Sequence, residues 1–186
     1  MNVSGTETEI KIPVADLEPL RAKLRESGAV ETRAAHEEDN TLYDDAAGRL
    51  SGAGVALRLR IAGGRGLLTF KGEARFQGDL KIREELETAV GDPETMRAIL
   101  VRLGFVPRFR YQKRRQELEL LGCTVCLDET PIGSFVEIEG SADDIRTALA
   151  RLGLESARAE RDSYAGLYAR ARRREPGLPP DMLFSR

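Results

Sequence analysis

The chain has 186 residues, of which 41% are hydrophobic and 32% charged, with a formal net charge of −2. That length suits a single domain with a real core, and the near-neutral balance excludes the bulk field of a nucleic-acid or membrane-surface binder. No apolar run reaches the length of a membrane span and the N-terminus lacks a secretory signal, so a cytoplasmic location is expected.

The first motif is Glu7-Thr8-Glu9-Ile10-Lys11. Residues two apart in an extended chain share a face, so Glu7, Glu9 and Lys11 point one way. Two adjacent carboxylates repel unless something positive sits between them. The arrangement suits a divalent cation held by oxygen ligands, with Lys11 placed for the anion that cation carries. Alone, the pattern is better explained by a solvated strand edge of mixed charge, and it gains weight only because the same grammar recurs along the chain.

Asp16 can cap a helix running to about Ser27, with Leu17, Leu20 and Leu24 on one side and Gly28 closing it. A polar segment from His36 to Asp45 follows, with Thr41-Leu42-Tyr43 as a short strand and His36 as a surface or loop residue. Val55 to Ile61 alternates apolar and basic, and Gly63-Gly64 turns the chain into Leu67 to Lys71, which predicts a β-hairpin. Gly72 to Asp79 is a polar, mobile connection. Lys81 to Glu87 alternates again, and Asp92-Pro93 opens a second helix with the stripe Met96, Ile99 and Leu103, ended by Gly104. Two strands, Tyr111 to Leu121 and Cys123 to Asp128, meet near Gly122. Cys123 and Cys126 are the only cysteines; a structural zinc site wants a second pair, so they are expected to be reduced thiols, one of them in the core. Pro131 and Gly133 lead into Phe135 to Glu139. Ser141 with Asp144 forms a capping box for a helix bearing Ile145, Ala148, Leu149 and Leu152. A last helix, about Asp162 to Arg174, carries Tyr164, Leu167, Tyr168 and Ala171, and its basic end suits a helix C-terminus. Residues 1–175 read as one α+β domain and 176–186 as a tail.

The charged sides of the strands share one grammar. Arg58 and Arg60, Lys71, Lys81 and Arg83, and Lys113 and Arg115 supply cations; Glu85, Glu87, Glu117, Glu119, Asp128, Glu137 and Glu139 supply acids. The opposite sides are apolar. An open sheet wet on one face would give this pattern, and so would a closed barrel with its charges inward and its helices outside. Two features favour enclosure: basic and acidic pairs segregate by strand, and uncharged polar residues are scarce among them. Such an interior has to be wet and occupied, because unpaired buried ions cost several kcal/mol each. Arg forks and Lys points bind phosphate oxygens, and seven or so facing one lumen imply several linked phosphates. Carboxylate pairs on neighbouring strands imply Mg²⁺ or Mn²⁺. Neither a P-loop nor a G-x-G-x-x-G is present.

These motifs resemble, in family order, those of the CYTH superfamily, the triphosphate tunnel metalloenzymes. The E-x-E-x-K is Glu7, Glu9 and Lys11; the R-x-R is Arg58-Leu59-Arg60; the T-x-K-G is Thr69-Phe70-Lys71-Gly72. Arg83-Glu84-Glu85-Leu86-Glu87 is similar to the R-x-E-x-E and Lys113-Arg114-Arg115 to the K-x-R. Leu127-Asp128 and Gly133 to Glu139 are similar to the closing acidic strands, and Ser163-Tyr164 to the Ser-Tyr helix. The resemblance implies a closed eight-stranded antiparallel β-barrel, a tunnel with helices packed outside. It implies that Lys11, Arg58, Arg60, Lys71, Arg83, Lys113 and Arg115 contact phosphates, and that Glu7, Glu9, Asp128, Glu137 and Glu139, with Glu85 as a further candidate, hold one or two ions of Mg or Mn. Glu7, Glu9 and Lys11 are the catalytic candidates. Asn40 to Asp44 lies where relatives carry an Asp before an aromatic; the register is ambiguous, so the segment is left out of the site.

Three readings of activity follow. Water attacking the terminal phosphorus would make the protein a triphosphatase acting on a nucleoside, thiamine or inorganic triphosphate. A ribose hydroxyl attacking the α-phosphorus would make it a class IV-type adenylyl cyclase yielding cyclic AMP and pyrophosphate. A binding module would hold the ligand without turnover. Hydrolysis is the reading preferred here, with a triphosphate-containing small molecule as partner and the homodimer found among cyclase-like relatives as a further expectation.

Overall fold

Charged and apolar residues alternate along most strands, and the sheet they build curls until its two edges meet. The computed structural model describes residues 5–185. Strand β1 (Gly5–Val14) leads to α1 (Glu18–Glu26), and β2 (Val30–Asp45) to the single turn α2 (Arg49–Gly52). The hairpin of β3 (Ala56–Ala62) and β4 (Arg65–Lys71) precedes the short β5 (Arg75–Gln77) and β6 (Leu80–Val90). Then come α3 (Pro93–Arg102), β7 (Phe105–Leu120), β8 (Cys123–Thr130), β9 (Gly133–Glu139), α4 (Ala142–Leu152) and α5 (Tyr164–Arg174). Eight strands pair antiparallel in the order β1-β9-β8-β7-β2-β3-β4-β6, and β1 pairs with β6 to close the barrel. The extra strand β5 folds against β6 at one rim.

Closure rests on β1. Glu7 lies opposite Arg83 and Glu9 opposite Lys81 on one side, while Glu9 lies opposite Glu139 and Lys11 opposite Glu137 on the other. Because side chains alternate, these pairs put all the charges of the first motif on the inner face. The outer face is apolar and covered. Ile10, Ile12, Val125, Val136 and Ile138 pack with Leu20 and Leu24 of α1 and Ile145, Ala148 and Leu152 of α4. Each such side chain, taken fully out of water, contributes about 1.5–3 kcal/mol. Ser141 accepts a hydrogen bond from the Asp144 N–H, and the left-handed Gly153 ends α4, so the expected cap and stripe are both present.

Several elements differ from expectation. β2 is 16 residues long, far longer than Thr41-Leu42-Tyr43, because its other positions pair with β7 although polar on both faces. β7 begins at Phe105. The connection Gly72 to Asp79 is not a plain loop: β5 pairs Gln77 with Leu80 across a tight turn in which Gly78 takes φ +62°. In α3 the buried residue is Leu100, with Met96 partly buried, whereas Ile99 (44% exposed) and Leu103 (69%) face outward. The helix packs Met96 and Leu100 against Leu57 and Leu59 of β3 and Leu68 of β4, a narrow seam that leaves Ile99 and Leu103 outside it. His36 belongs to β2 and its side chain is only 17% exposed. The segment after α5 packs as well: Met182 is fully buried, and its backbone bonds to Arg110 and Gln112 while Tyr168 donates to the Pro179 carbonyl.

A charged barrel lumen as candidate active site

The lumen is a cavity of about 760 Å³. Every residue expected at the site lines it except Asp128. Arg58 and Arg60 project from β3, Lys71 from β4, Lys81 and Arg83 from β6, Lys113 and Arg115 from β7, and Lys11 from β1.

The acids divide into two groups by their partners. Asp128 is fully buried and saturated: it accepts from Arg115 Nε at 2.7 Å, Lys113 Nζ at 3.0 Å and the Tyr164 hydroxyl at 2.7 Å. Burial opposes its ionisation, yet Arg115 and Lys113 hold the carboxyl below the usual carboxylate range. Glu137 is similar; burial is outweighed by Lys11, 3.3 Å away, and by Arg115, so its carboxyl lies well below normal. Glu85 pairs with Lys71 and with Arg83 at 2.9 Å; against burial, its hydrogen bond with Glu7 and the charge of Lys71 bring it down to about 2.

Glu7, Glu9 and Glu139 form the other group. Each brings a carboxylate oxygen within 4.8 Å of the others. Burial, then the contact with Glu85, pushes Glu7 up to about 9, and burial raises Glu139 too. Glu9 stays below its ordinary value because Lys81, at 2.8 Å, and Lys11 outweigh burial and Glu137. Glu7 Oε2 is buried without a hydrogen-bond partner. An oxygen-only donor set with an orphaned oxygen fits a hard divalent cation. The basic side has its own orphan: Arg58 Nη2 donates to Thr69 Oγ1 at 3.2 Å, but its buried Nε has no acceptor. A buried donor left this way is costly unless an anion completes it.

Sequence reasoning missed Glu38. It is fully buried on β2, with Arg60 Nη1 at 3.1 Å and Lys113 Nζ at 3.6 Å, and it lies beside His36 and Glu117. The signal was the i, i+2 series His36, Glu38, Asn40, masked by equally polar neighbours on the other face. Also missed as a site residue was Tyr164, set at the start of α5 by the Ser163 cap on Gly166 N–H. Its ring lies 4.2 Å from Lys11 Nζ and 5.3 Å from Lys113 Nζ, so one aromatic face seats two of the cations. Cys126 faces this lumen and Cys123 the apolar shell; both are free and buried.

A closed antiparallel barrel with helices outside and a tunnel of opposed charges within defines the class of protein. The chain belongs to the CYTH domain family, whose model matches residues 5–164. It is 31% identical over 142 residues to a Methanocaldococcus jannaschii protein named "putative adenylate cyclase", covering 75% of this chain and 79% of the relative. Among solved structures it is similar to the PH1819 protein of Pyrococcus horikoshii, with a TM-score of 0.73 and 28% identity over 89% of this chain and 99% of that one. It also shares its fold with a Hippeastrum protein described as a "putative adenylyl cyclase" with a dominant triphosphatase activity (TM-score 0.64, 20% identity, 94% and 98% covered).

Proposed function

We propose that this chain is a divalent-metal-dependent triphosphatase whose lumen binds the phosphate chain of its substrate. The observation that carries the reading is the pair of unmet demands in one cavity: an orphaned guanidinium donor at Arg58, and a cluster of three carboxylates, Glu7, Glu9 and Glu139, in which Glu7 Oε2 has no hydrogen-bond donor. A linear triphosphate together with a cation meets both. Lys11, Arg58, Arg60, Lys71, Arg83, Lys113 and Arg115 grip phosphate oxygens from several strands, which holds the chain extended and spreads the charge that builds on the leaving group. Asp128 and Glu137 do not compete for the substrate; they hold Lys113, Arg115 and Lys11 in position through buried pairs. Mg²⁺ or Mn²⁺ at Glu7, Glu9 and Glu139 would neutralise phosphate charge and align the attacking oxygen. Burial in the lumen keeps Lys71 at about 8, with Arg58 adding repulsion, so a bound anion would favour its charged form.

The name of the 31%-identical relative supports a second reading, an adenylyl cyclase. Tripolyphosphate, ATP and thiamine triphosphate, each with Mg²⁺ or Mn²⁺, separate the two. Orthophosphate is the expected product. Cyclic AMP with pyrophosphate from ATP moves the assignment to the cyclase, and tight binding without any product moves it to a binding module.

A further inference from the structure

A second group of donors gathers where β2 runs beside β7. His36, Glu38 and Glu117 bring a ring nitrogen and two carboxylate oxygens within 4.8 Å of one another. Glu117 also lines the lumen, but the cluster shares no residue with Glu7, Glu9 and Glu139, and β8 separates β7 from β9. The β2–β7 register slips between Arg33 and His36, and such a slip re-aims the side chains beside it. His36 Nδ1 lies 2.9 Å from the Ala34 carbonyl oxygen, which can only accept, so Nδ1 carries a proton and Nε2 is the nitrogen turned to the acids. Metal-binding histidines are oriented by this same kind of bond at the other ring nitrogen. Nε2 is buried without a hydrogen-bond partner, 3.6 Å from Glu38 Oε1 and 4.0 Å from Glu117 Oε1. Glu38 is fully buried, and neither of its oxygens accepts a hydrogen bond. Cations offset the acids: Arg60 Nη1 and Lys113 Nζ lie 3.1 Å and 3.6 Å from Glu38, and Arg33 Nη1 lies 3.5 Å from Glu117. None of them donates to Nε2, and Arg115, opposite His36 on β7, is taken up by Asp128 and Glu137.

A nitrogen lone pair is repelled by two carboxylates, so Nε2 calls for something positive between them, either a proton or a metal ion. The separations decide. A shared proton would draw Nε2 to about 2.7–3.2 Å from an acceptor oxygen. Two ligand atoms, each about 2.1 Å from a tetrahedral zinc, stand about 3.4 Å apart, close to the spacing of this cluster. We infer that His36, Glu38 and Glu117 form a second metal site, for a borderline divalent ion of the zinc class. The imidazole sets it apart from the oxygen-only triad, because ring nitrogen favours zinc and its neighbours where carboxylates alone favour magnesium and manganese. A carboxylate has room for several partners, so Glu38 can meet Arg60 and still ligate. Three protein ligands leave a fourth position for water. The inference stands apart from the triphosphatase reading and does not depend on it.

His36 is the only histidine in the chain, so its ring nitrogens report on the site without overlap. The test titrates the metal-stripped full chain with Zn²⁺ alone, in the wild type and in Glu9→Gln, which disables the oxygen triad. Long-range ¹H–¹⁵N spectra follow the imidazole, and equilibrium dialysis gives stoichiometry and affinity. In both proteins the Nε2 resonance should move and saturate, EDTA should return it, and Glu9→Gln should retain one bound ion. Glu117→Gln, a shape-preserving change at a half-buried position, should weaken that binding at least about tenfold, since even indirect partners of a metal ligand are worth that much. His36→Gln should do the same by dialysis, which keeps the test open if one variant folds poorly. An Nε2 resonance that Zn²⁺ leaves unmoved, or zinc binding that survives His36→Gln and disappears in Glu9→Gln, overturns the site. So does an Nε2 that keeps a proton at saturating zinc, which would make the bridge an imidazolium.

Discussion

Asp128 and Glu9 are both buried acids in or beside the lumen, and they should fail in different ways. Asp128 meets two cations and a hydroxyl. Removing it in Asp128→Ala leaves buried Lys113 and Arg115 with only Glu38 and Glu137 as acidic partners, so a loss of about 3–5 kcal/mol in urea denaturation is expected. A metal-ligand role for Asp128 would instead lower metal affinity and spare stability, and the two measurements together decide. Glu9→Gln keeps the shape and removes a charge from the triad that faces Glu7 and Glu139. Turnover should fall to background while far- and near-UV circular dichroism stay native. Arg58→Ala removes the orphaned donor and should cost at least about a hundredfold in kcat/KM, the scale of losing one preorganised donor at a reacting oxyanion. Wild-type rates in either variant would remove these residues from the site.

At the scale of elements, the turn α2 hangs on one side chain. Asp44 accepts from the backbone N–H groups of Asp45, Leu50 and Ser51 at 2.8–2.9 Å. Its burial is outweighed by the bonds from Ser51 and Leu50, which bring the carboxyl down to about 2. A lowered folded-state value adds stability above the unfolded value of 3.8, and that share is lost as pH falls toward about 2. Thermal melts of Asp44→Asn should therefore lie below wild type at pH 7 and approach it near pH 2; parallel curves would refute the linkage. Gly66 on β4 is a second such point, since a Cβ there would lie 2.9 Å from Val90 and 3.0 Å from Pro93. Gly66→Ala should destabilise by about 1–3 kcal/mol through overpacking. The elements legible in sequence share a contrast. The β3–β4 hairpin alternates Arg with Leu around Gly63-Gly64, and α4 and α5 open on serine caps. β2 was obscured because Glu38 and Asn40 face a charged lumen while Asp39 faces Arg110 outside; with polar residues on both sides the period-two signal vanishes. The basic residues and the carboxylate triad were legible because alternation survives on their strands. Tyr164 was not, since a tyrosine on a helical stripe looks like any core residue until the helix is placed under the lumen.

For the molecule as a whole, the balance of the lumen predicts strong ligand linkage. The lumen holds like charges together on both of its sides, and a cation with a polyphosphate would relieve both. Mn²⁺ plus tripolyphosphate should raise the melting temperature, by an amount equivalent to about 2.7 kcal/mol at a hundred times the dissociation constant, and EDTA should reverse it. Unchanged melting at millimolar ligand would mean that nothing binds there. The way the barrel is sealed carries a different consequence, for its birth rather than its chemistry. Lys11 pairs with Glu137, more than a hundred positions later in the chain, so although β1 can pair with β6 earlier, the barrel cannot seal until β9 is made. Loop entropy delays such a contact. Nascent chains halted before β9 would carry two raw sheet edges, and those chains, rather than the finished protein, are where self-association and chaperone capture should concentrate.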